Sequence, residues 1–398
     1  MNKKSPKIRF KGFTDDWEQR KLGELASFSK GAGYTKGDLK TTGGKPIILY
    51  GRLYTKYETV IENVDTFVDE KEKSVISAGN EIIVPASGET SEDISRASVV
   101  AKPGIILGGD LNIVKPNTEI DASFLALTIS NGRQQKELSK KAQGKSVVHL
   151  HNSDLKEVNL VFPQKEEQTE IGHFFRQLDA TITLHQEAIQ RQQYLKKALL
   201  QKLFPVNGEG IPTVRFATFK EEWEQRKLGD TVRITMGQSP SGENYTENPN
   251  DHILVQGNAD MKNGRVVPRI WTTQVTKNAD PDDIILSVRA PVGDVGKTDY
   301  PVVLGRGVAG ISGNAFIFQT LSRMKEIGFW TRYSSGSTFE SVNSADLKDA
   351  VISIPNIEEQ TKIGDFFTKL DGAIALRQDA IHKLQLLKQS LLQKMFVN

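Results

Sequence analysis

The sequence predicts a mixed α+β protein in which two duplicated α/β domains are joined by two long helices that form a coiled coil. Two internal repeats and the apolar spacing within one of them support this prediction. The chain has 398 residues, more than a single hydrophobic core usually organises. The repeats alternate along the chain, so the expected order is domain, helix, domain, helix.

The first repeat marks the start of each domain. Residues 6–24 read PKIRFKGFTDDWEQRKLGE and residues 212–230 read PTVRFATFKEEWEQRKLGD. The block WEQRKLG is unbroken at 17–23 and 223–229. An identical run of this length indicates duplication, so both domains should share one fold.

The second repeat predicts the long helices. Residues 166–204 and 358–396 match each other closely. Both copies space apolar residues by alternating fours and threes, as in a coiled-coil seam. The expected seam consists of Ile171, Phe175, Leu178, Ile182, Ile189, Leu199 and Leu203, with Ile363, Phe367, Leu370, Ile374, Ile381, Leu384, Leu391 and Met395. A helix packed only on its own domain would be shorter, about 8–20 residues.

Polar residues interrupt this seam at His185, Gln192, Lys196, Arg377 and Lys388. Such interruptions lower stability and fix register or partner choice. The counterpart of His185 is Arg377, which cannot serve as a base or metal ligand at neutral pH, so His185 is interpreted as structural. Gly172 and Gly364 predict a kink or a short preceding helix near each helix start.

The domains are expected to mix short strands and helices. Apolar runs bounded by Gly, Pro and Asp predict strands at 81–84, 104–107, 283–288 and 314–318. Helices are predicted at 123–130 and 321–330. The resulting division is a first domain at 1–160, a first long helix at 161–206, a second domain at 207–353 and a second long helix at 354–398.

Composition excludes several classes of protein. The chain has no cysteine, which rules out disulfides, thiolate metal sites and a cysteine nucleophile. No apolar stretch approaches the roughly 20 residues that span a bilayer, so a cytoplasmic protein is expected. The net charge of +3 neither requires nor excludes a nucleic-acid partner.

Catalytic motifs are missing from the sequence. There is no glycine-rich cofactor loop with an Asn/Asp-Pro-Pro-aromatic motif, as an adenine methyltransferase would need. Gly144-Lys145-Ser146 and Gly296-Lys297-Thr298 resemble the end of a phosphate-binding loop but lack its first glycine. The six histidines form no metal-ligand set. We therefore expect a non-enzyme that holds neither metal nor cofactor.

Several motifs carry a family resemblance. Beside the paired WEQRKLG blocks stand ILYGRLYTKY at 48–57, PASGETSEDI at 85–94, GGDLNI at 108–113, SVRAPVGDVG at 287–296 and GRG at 305–307. Both long helices begin EEQTxIGxFFxxLD. In these motifs, and over essentially its whole length, the chain resembles the specificity subunits of type I restriction-modification enzymes.

The resemblance implies two target-recognition domains, each reading one half of a bipartite site in double-stranded DNA. The long helices would pack as an antiparallel coiled coil with pseudo-two-fold symmetry, spacing the domains and docking two modification subunits. Those partners would carry S-adenosylmethionine, and restriction/translocase subunits would use ATP and Mg. Because the domain sequences diverge while the helices match, the target should be asymmetric.

Candidate DNA contacts are basic, amide and hydroxyl side chains in predicted loops, since such groups read base edges or bind phosphates. They are Arg52, Lys56, Ser87, Arg96, Lys145 and His149 in the first domain, and Gln238, Ser239, Lys262, Arg265, Arg289 and Arg306 in the second. Any one of them could equally be a solvated surface residue.

A second apolar set lies off the seam of the two helices. It comprises Phe174, Leu184, Leu195, Leu200, Phe366, Leu376, Leu387 and Leu392. Left exposed in an isolated helix pair, this face is expected to bind the modification subunits.

Two other classes remain open at this point. One is a coiled-coil scaffold whose two domains never contact DNA. Such a protein would not shift DNA in a gel-shift assay, even with the modification subunit added. An enzyme would be revealed by cross-linking of S-adenosylmethionine to this chain alone.

Overall fold

The computed structural model describes residues 5–91, 93–142, 144, 147–206, 209–333 and 341–397. The chain forms two compact units. The first contains Met1–Leu184 and Ala380–Asn398, and the second contains His185–Asp379. Each long helix therefore contributes one segment to each unit.

The first unit is built on a five-stranded sheet of order β2-β10-β6-β8-β4. Its strands are β1 (Glu18–Lys21), β2 (Ala26–Lys30), β3 (Lys45–Ile48), β4 (Val60–Ile61), β5 (Phe67–Val68), β6 (Glu81–Pro85), β7 (Ser87–Gly88), β8 (Ser98–Val100), β9 (Ile106–Leu107), β10 (Leu111–Pro116), β11 (Val148–His149) and β12 (Asn159–Phe162). Smaller sheets pair β1 with β12, β7 with β11, and β3 with β5 and β9. Every residue of β6 is buried, which fits the apolar run Ile82, Ile83 and Val84 at the centre of the sheet.

The helices that begin in the first unit are α1 (Leu22–Leu25), α2 (Arg52–Thr55), α3 (Ala122–Ile129), α4 (Gly132–Lys141), α5 (Asn152–Lys156) and α6 (Lys165–Lys202). Asp121 caps α3 by accepting a hydrogen bond from the Phe124 amide at 2.9 Å. Almost all of α3 is buried, so this helix fills the space between the sheet and the long helices.

The second unit repeats this plan with a six-stranded sheet of order β14-β24-β21-β22-β18-β17 and a five-stranded sheet of order β15-β19-β16-β23-β20. Its strands are β13 (Glu224–Lys227), β14 (Arg233–Met236), β15 (Tyr245–Thr246), β16 (His252–Val255), β17 (Met261–Lys262), β18 (Arg265–Val266), β19 (Ile270–Thr272), β20 (Asn278–Ala279), β21 (Ile284–Ser287), β22 (Val295–Lys297), β23 (Val302–Leu304), β24 (Val308–Ser312) and β25 (Val351–Ile354). Its helices are α7 (Leu228–Thr231), α8 (Ala315–Glu326), α9 (Ser344–Lys348) and α10 (Ile357–Met395). As β1 does with β12, β13 pairs with β25.

An aromatic cluster occupies the same place in both cores. In the first unit Trp17 packs edge-on against Phe124, whose ring centroid lies 5.7 Å from that of Phe396. In the second unit Trp223 packs against Phe316, and the Phe316 and Phe204 centroids are 5.4 Å apart. The tryptophan of the repeated WEQRKLG block thus anchors each domain to the end of a long helix.

The long helices confirm the coiled-coil prediction. The helices α6 and α10 have 38 and 39 residues. Within the first unit Phe175 meets Phe396, whereas the later residue Asp179 meets the earlier residue Lys388. The two segments therefore run antiparallel. The second unit repeats this pattern, because Phe367 meets Phe204 and Asp371 meets Lys196.

Glycines in the long helices have a packing role that differs from the prediction. Of the two alternatives predicted there, a kink or a short preceding helix, the second is wrong, because the helices run uninterrupted through Gly172 and Gly364. A Cβ on Gly172 would lie 2.9 Å from the Asp121 carboxylate, and one on Gly364 would lie 2.9 Å from the Ala315 Cβ. The glycines allow α3 and α8 to start directly against the long helices.

One predicted strand is also wrong. Residues 314–318 begin α8 instead, because Asn314 accepts a hydrogen bond from the Ile317 amide at 3.0 Å and caps the helix. Phe316, Ile317 and Phe318 are all buried, so a continuous apolar run marks a buried helix start here. The helix predicted at 321–330 is accordingly the later part of α8, which ends at Glu326.

Candidate nucleic-acid interface

In the first unit the structure brings three of the predicted residues to one place. Strands β7 and β11 pair with Ser87 opposite His149, and the Ser87 hydroxyl lies 3.2 Å from His149 Nδ1. The Tyr54 hydroxyl donates a hydrogen bond to the Ser87 carbonyl at 2.9 Å. The Arg96 guanidinium lies over the Tyr54 ring, 5.9 Å from its centroid. Ser87 therefore contacts both Tyr54 and His149, and Arg96 lies on the Tyr54 ring.

Tyr54 is a functional candidate that the sequence reasoning missed. Burial, reinforced by the charge of Asp93, raises the pKa of Tyr54, so its hydroxyl stays protonated at neutral pH and keeps its bond to Ser87. Tyr50 packs edge-on against Tyr54 and is partly exposed. The aromatic spacing in ILYGRLYTKY was the available signal, since aromatic side chains often accompany polar groups at binding surfaces.

The cations predicted in the first unit are either paired with carboxylates, as Arg96 is with Asp93, or outside the described residues. Arg52 bonds Glu58 at 2.6 Å and Asp65 at 2.8 Å, and its side chain is only 9% exposed. Lys56 bonds Asp65 at 3.0 Å. Both charges are thus matched by carboxylates of the same unit. Lys145 lies outside the described residues.

In the second unit the predicted residues separate into two groups. Ser239, Arg289 and Arg306 line one cleft of about 260 Å³. Gln238, the residue before Ser239, is exposed. Its backbone amide donates a hydrogen bond to the Leu304 carbonyl at 2.8 Å. The first group therefore shares one cleft.

The second group lies on the β17–β18 hairpin. Lys262 and Arg265 pair across that hairpin, and Arg265 bonds Asp299 at 2.6 Å. Arg265 also lines a broader cleft of about 1200 Å³ between the hairpin, α8 and the long-helix segments of this unit. Basic side chains at that cleft are largely matched by acids, as in the Lys197–Glu326 pair at 2.9 Å. The smaller cleft is the better candidate for binding a polyanion.

The smaller cleft differs in charge. None of the described residues that line it is acidic, and Arg289 and Arg306 both border it. Among the described residues, no carboxylate forms an ion pair with either arginine, whereas Arg226, Arg233 and Arg265 in the same unit each have one. Two guanidiniums without a described carboxylate partner give this opening an excess of positive charge, which favours binding of a polyanion.

Glycines allow the loops around this cleft to meet. A Cβ on Gly307 would lie 2.0 Å from the Gln256 carbonyl oxygen, and one on Gly237 would lie 2.0 Å from the Gly305 carbonyl oxygen. Side chains at these positions would force the loops apart. The Arg306 amide donates to the Ser239 hydroxyl at 3.1 Å, which joins two of these loops at the cleft.

The apolar helix face is exposed at most of its predicted positions. Leu184, Leu195, Phe366, Leu376 and Leu387 are exposed. Phe174 packs edge-on against Phe10 in the first unit, and Leu392 packs against that unit's core.

Leu200 departs from the prediction. It is 4% exposed and belongs to the core of the second unit, because the end of α6 turns this side chain toward the domain. It therefore cannot form part of an exposed face.

The described residues offer no cluster of three or more histidine, cysteine or acidic side chains that could hold a metal ion. In the same part of the chain, no helix is both long and apolar enough to cross a membrane.

The family model for the type I restriction modification DNA specificity domain matches residues 14–192 and 220–386. The chain belongs to this family. The two matched segments cover both units and correspond to the two internal copies. As a DNA specificity protein, the chain is a DNA-sequence recognition subunit of a type I restriction-modification system and a non-catalytic component of it.

Individual relatives agree with this assignment. The putative type I restriction enzyme MjaX specificity subunit of Methanocaldococcus jannaschii is 26% identical over 404 residues, covering 95% of this chain and 92% of that protein. The crystal structure of the type I restriction-modification S subunit from M. genitalium superposes with a TM-score of 0.68 at 16% identity, covering 99% of both chains. A chain from structural work on complex assembly and conformational transition of the type I R-M system gives a TM-score of 0.57 at 20% identity, covering 95% of this chain and 97% of that one. The fold is thus that of specificity subunits, which act in multisubunit complexes.

Proposed function

We propose that each head of this specificity subunit reads one half of an asymmetric bipartite DNA site and so directs adenine methylation or restriction by partner subunits. The observation that carries this proposal is that the two units share the same core and helix contacts but expose different side chains at their candidate DNA-contact surfaces. The Trp–Phe core and the paired long-helix segments recur in both units. The candidate contact surfaces do not recur.

The contrast is clearest at one equivalent backbone position. Ser87 lies opposite His149 in the first unit, and Arg289 bridges to Ser341 in the second. A hydroxyl and an imidazole thus stand where the other unit has a guanidinium and a hydroxyl. Because these groups prefer different base edges, the two halves of the target should differ in sequence.

The partners would be two modification subunits, with restriction/translocase subunits in the full complex. S-adenosylmethionine, ATP and Mg would be bound by those partners, and this chain would hold no cofactor. Leu184, Leu195, Leu376 and Leu387, the predicted leucines that are exposed, would form the docking faces, without the buried Leu200. The complex would act on chromosomal DNA in the cytoplasm.

Under this proposal the chain divides functionally into recognition domains at 1–160 and 207–353, with long helices at 161–206 and 354–398. A helix of 38 residues is roughly 57 Å long at about 1.5 Å per residue. That length exceeds the roughly 34–36 Å between DNA sites one helical turn apart. The helices would then set the spacer between the two half-sites.

Domain exchange tests the proposal. Residues 14–160 are replaced by the corresponding domain of a relative, and the motif is read by methylation-sensitive sequencing of a host that also carries the modification subunit. One half of the motif should change while the other half and the spacer stay as they were. Deleting one heptad from both helices should instead alter the spacer alone. A change in both halves after the single exchange would refute the proposal that each domain reads one half of the site.

A further inference from the structure

We infer that Gln256 reads an adenine in the half-site bound by the second unit, and that Tyr245 positions it. This inference rests on the proposed function and names a base-reading residue within it. Gln256 and Tyr245 both line the cleft that Arg289 and Arg306 border. A glutamine amide can bond adenine through two atoms at once, donating to N7 and accepting from N6.

The backbone of Gln256 is fixed from several sides. It directly follows β16, whose residue Val255 pairs in parallel with Leu304 of β23. The Gln256 amide donates to Asp260 at 2.7 Å, and the Asp260 carboxylate is 2% exposed and accepts a hydrogen bond from Arg269 at 2.9 Å. This fixed backbone reduces the entropy lost when the side chain binds a base.

Tyr245 holds the end of the Gln256 side chain. Gln256 Nε2 donates to the Tyr245 hydroxyl at 2.8 Å. That bond uses one of the two amide hydrogens, and the second hydrogen together with Oε1 remains able to meet a base. Both residues stay accessible, since Gln256 is partly exposed and Tyr245 is 37% exposed.

The positive charge of the cleft favours nucleic acid over a neutral ligand. Arg289 and Arg306 bring two positive charges to the cleft, and none of the lining residues in the described part of the chain is acidic. They can bind phosphates or a guanine beside the adenine, which orients the duplex so that Gln256 faces a base edge.

The first unit has different chemistry at the same place. Its parallel pair β3–β9 sets Ile48 opposite Leu107, equivalent to Val255 opposite Leu304, and the following residue is Leu49. Leu49 packs against a small apolar cluster. One topological position therefore carries an amide in one head and an apolar side chain in the other, as a position that sets sequence specificity should.

The experiment uses the full chain assembled with its modification subunits. Binding competition is measured between the cognate DNA and duplexes that carry each other base at each position of the second half-site. Gln256→Ala should lower discrimination at one A·T position by about 5- to 150-fold and leave the other positions unchanged. Tyr245→Phe should produce a smaller loss at the same position. Gln225→Ala and Tyr300→Phe, both on the surface of the same unit, serve as matched controls.

Gln256→Glu gives a second readout. A carboxylate accepts from the N4 amino group of cytosine, so preference at that position should move from adenine to cytosine. Retained reading of the first half-site shows that each variant is folded and assembled. The role of Gln256 would be overturned if Gln256→Ala weakened binding equally for all DNA sequences, or if it changed discrimination at no base position. Failure of the proposed function would give a different result. In that case the unmodified chain itself would show no half-site whose recognition depends on the second domain.

Discussion

Arg215 donates two hydrogen bonds to the carboxylate of Glu359, from Nε at 2.8 Å and from Nη2 at 2.8 Å. The Glu359 side chain is fully buried and that of Arg215 is 10% exposed. The first unit has the same pair, since Arg9 bonds Glu167 at 2.9 and 2.7 Å. Each pair ties the start of a domain to the first turn of a long helix.

We expect Glu359→Ala to lower the free energy of unfolding of the second unit by about 3–5 kcal/mol, because Arg215 would keep a charge with no partner in a nearly dry site. The neighbouring residue provides the control. Glu358 is 73% exposed, and Glu358→Ala should change stability by less than about 0.5 kcal/mol. The stability change of both variants is measured by chemical denaturation, with hydrogen exchange used to resolve the two units. Similar effects from the two substitutions would show that the buried pair has no special role.

The Lys196–Asp371 pair joins the two long-helix segments of the second unit at 2.7 Å. Gln319 of α8 also donates to Asp371, at 3.0 Å. We expect Lys196→Asp to lower the melting temperature of this unit, because two carboxylates would then face each other. Adding Asp371→Lys should recover part of the loss. The control is Arg191→Asp, at an exposed Arg191–Glu187 pair, where little change is expected.

The long helices could be predicted from the repeats, whereas some of their contacts could not. The seam depends on local spacing, and Ile171, Phe175, Ile363 and Phe367 are all buried as expected. The role of Lys196 as a polar position within that seam was also visible in the sequence. Its partner Asp371 was not, since antiparallel register is set by contacts between distant parts of the chain.

Gln256 shows the limit of sequence reasoning at the site. Its place depends on the parallel pairing of β16 with β23 and on the close approach of Gly307. Neither relation has a local signature. Arg289 and Arg306 were predicted because basic side chains in loops can read guanine or bind phosphates, and their DNA contacts stay a prediction. Arg52, chosen on the same grounds, lies within an ion-pair network of its own unit.

Glu81 should make the first unit sensitive to acid. Burial would raise its pKa, but hydrogen bonds from the Ser77 hydroxyl at 2.6 Å and the Ala78 amide at 2.7 Å outweigh that effect and lower it. Because the folded pKa lies below the unfolded value of about 4.3, this stabilisation is present above that pH. It is lost as the pH falls through the folded pKa.

Stability measured between pH 7 and pH 3 therefore should fall more steeply for the unmodified chain than for Glu81→Gln. Glu72→Gln, at an exposed position of the same unit, should leave the slope unchanged. If Glu81→Gln keeps the full slope, another carboxylate must dominate acid unfolding.

The last prediction concerns the docking face on the long helices. Leu195 is 52% exposed in the second unit, and its counterpart Leu387 is 48% exposed in the first. Exposed leucines that recur at equivalent places suggest a surface meeting the same kind of partner twice. We expect the double variant Leu195→Glu/Leu387→Glu to weaken assembly with two modification subunits by more than about 100-fold, because each new carboxylate would be buried without a partner.

Two controls separate docking from folding. Gln193→Glu/Gln385→Glu adds the same charge at exposed positions two residues earlier and should leave assembly intact. Ile182→Glu, at a side chain only 8% exposed in the helix seam, should instead lose helical signal by circular dichroism. Light scattering gives the stoichiometry of each complex. If the Leu195/Leu387 variant still binds two modification subunits, the partners must contact another face, since the exposed leucines would then contribute no required contact.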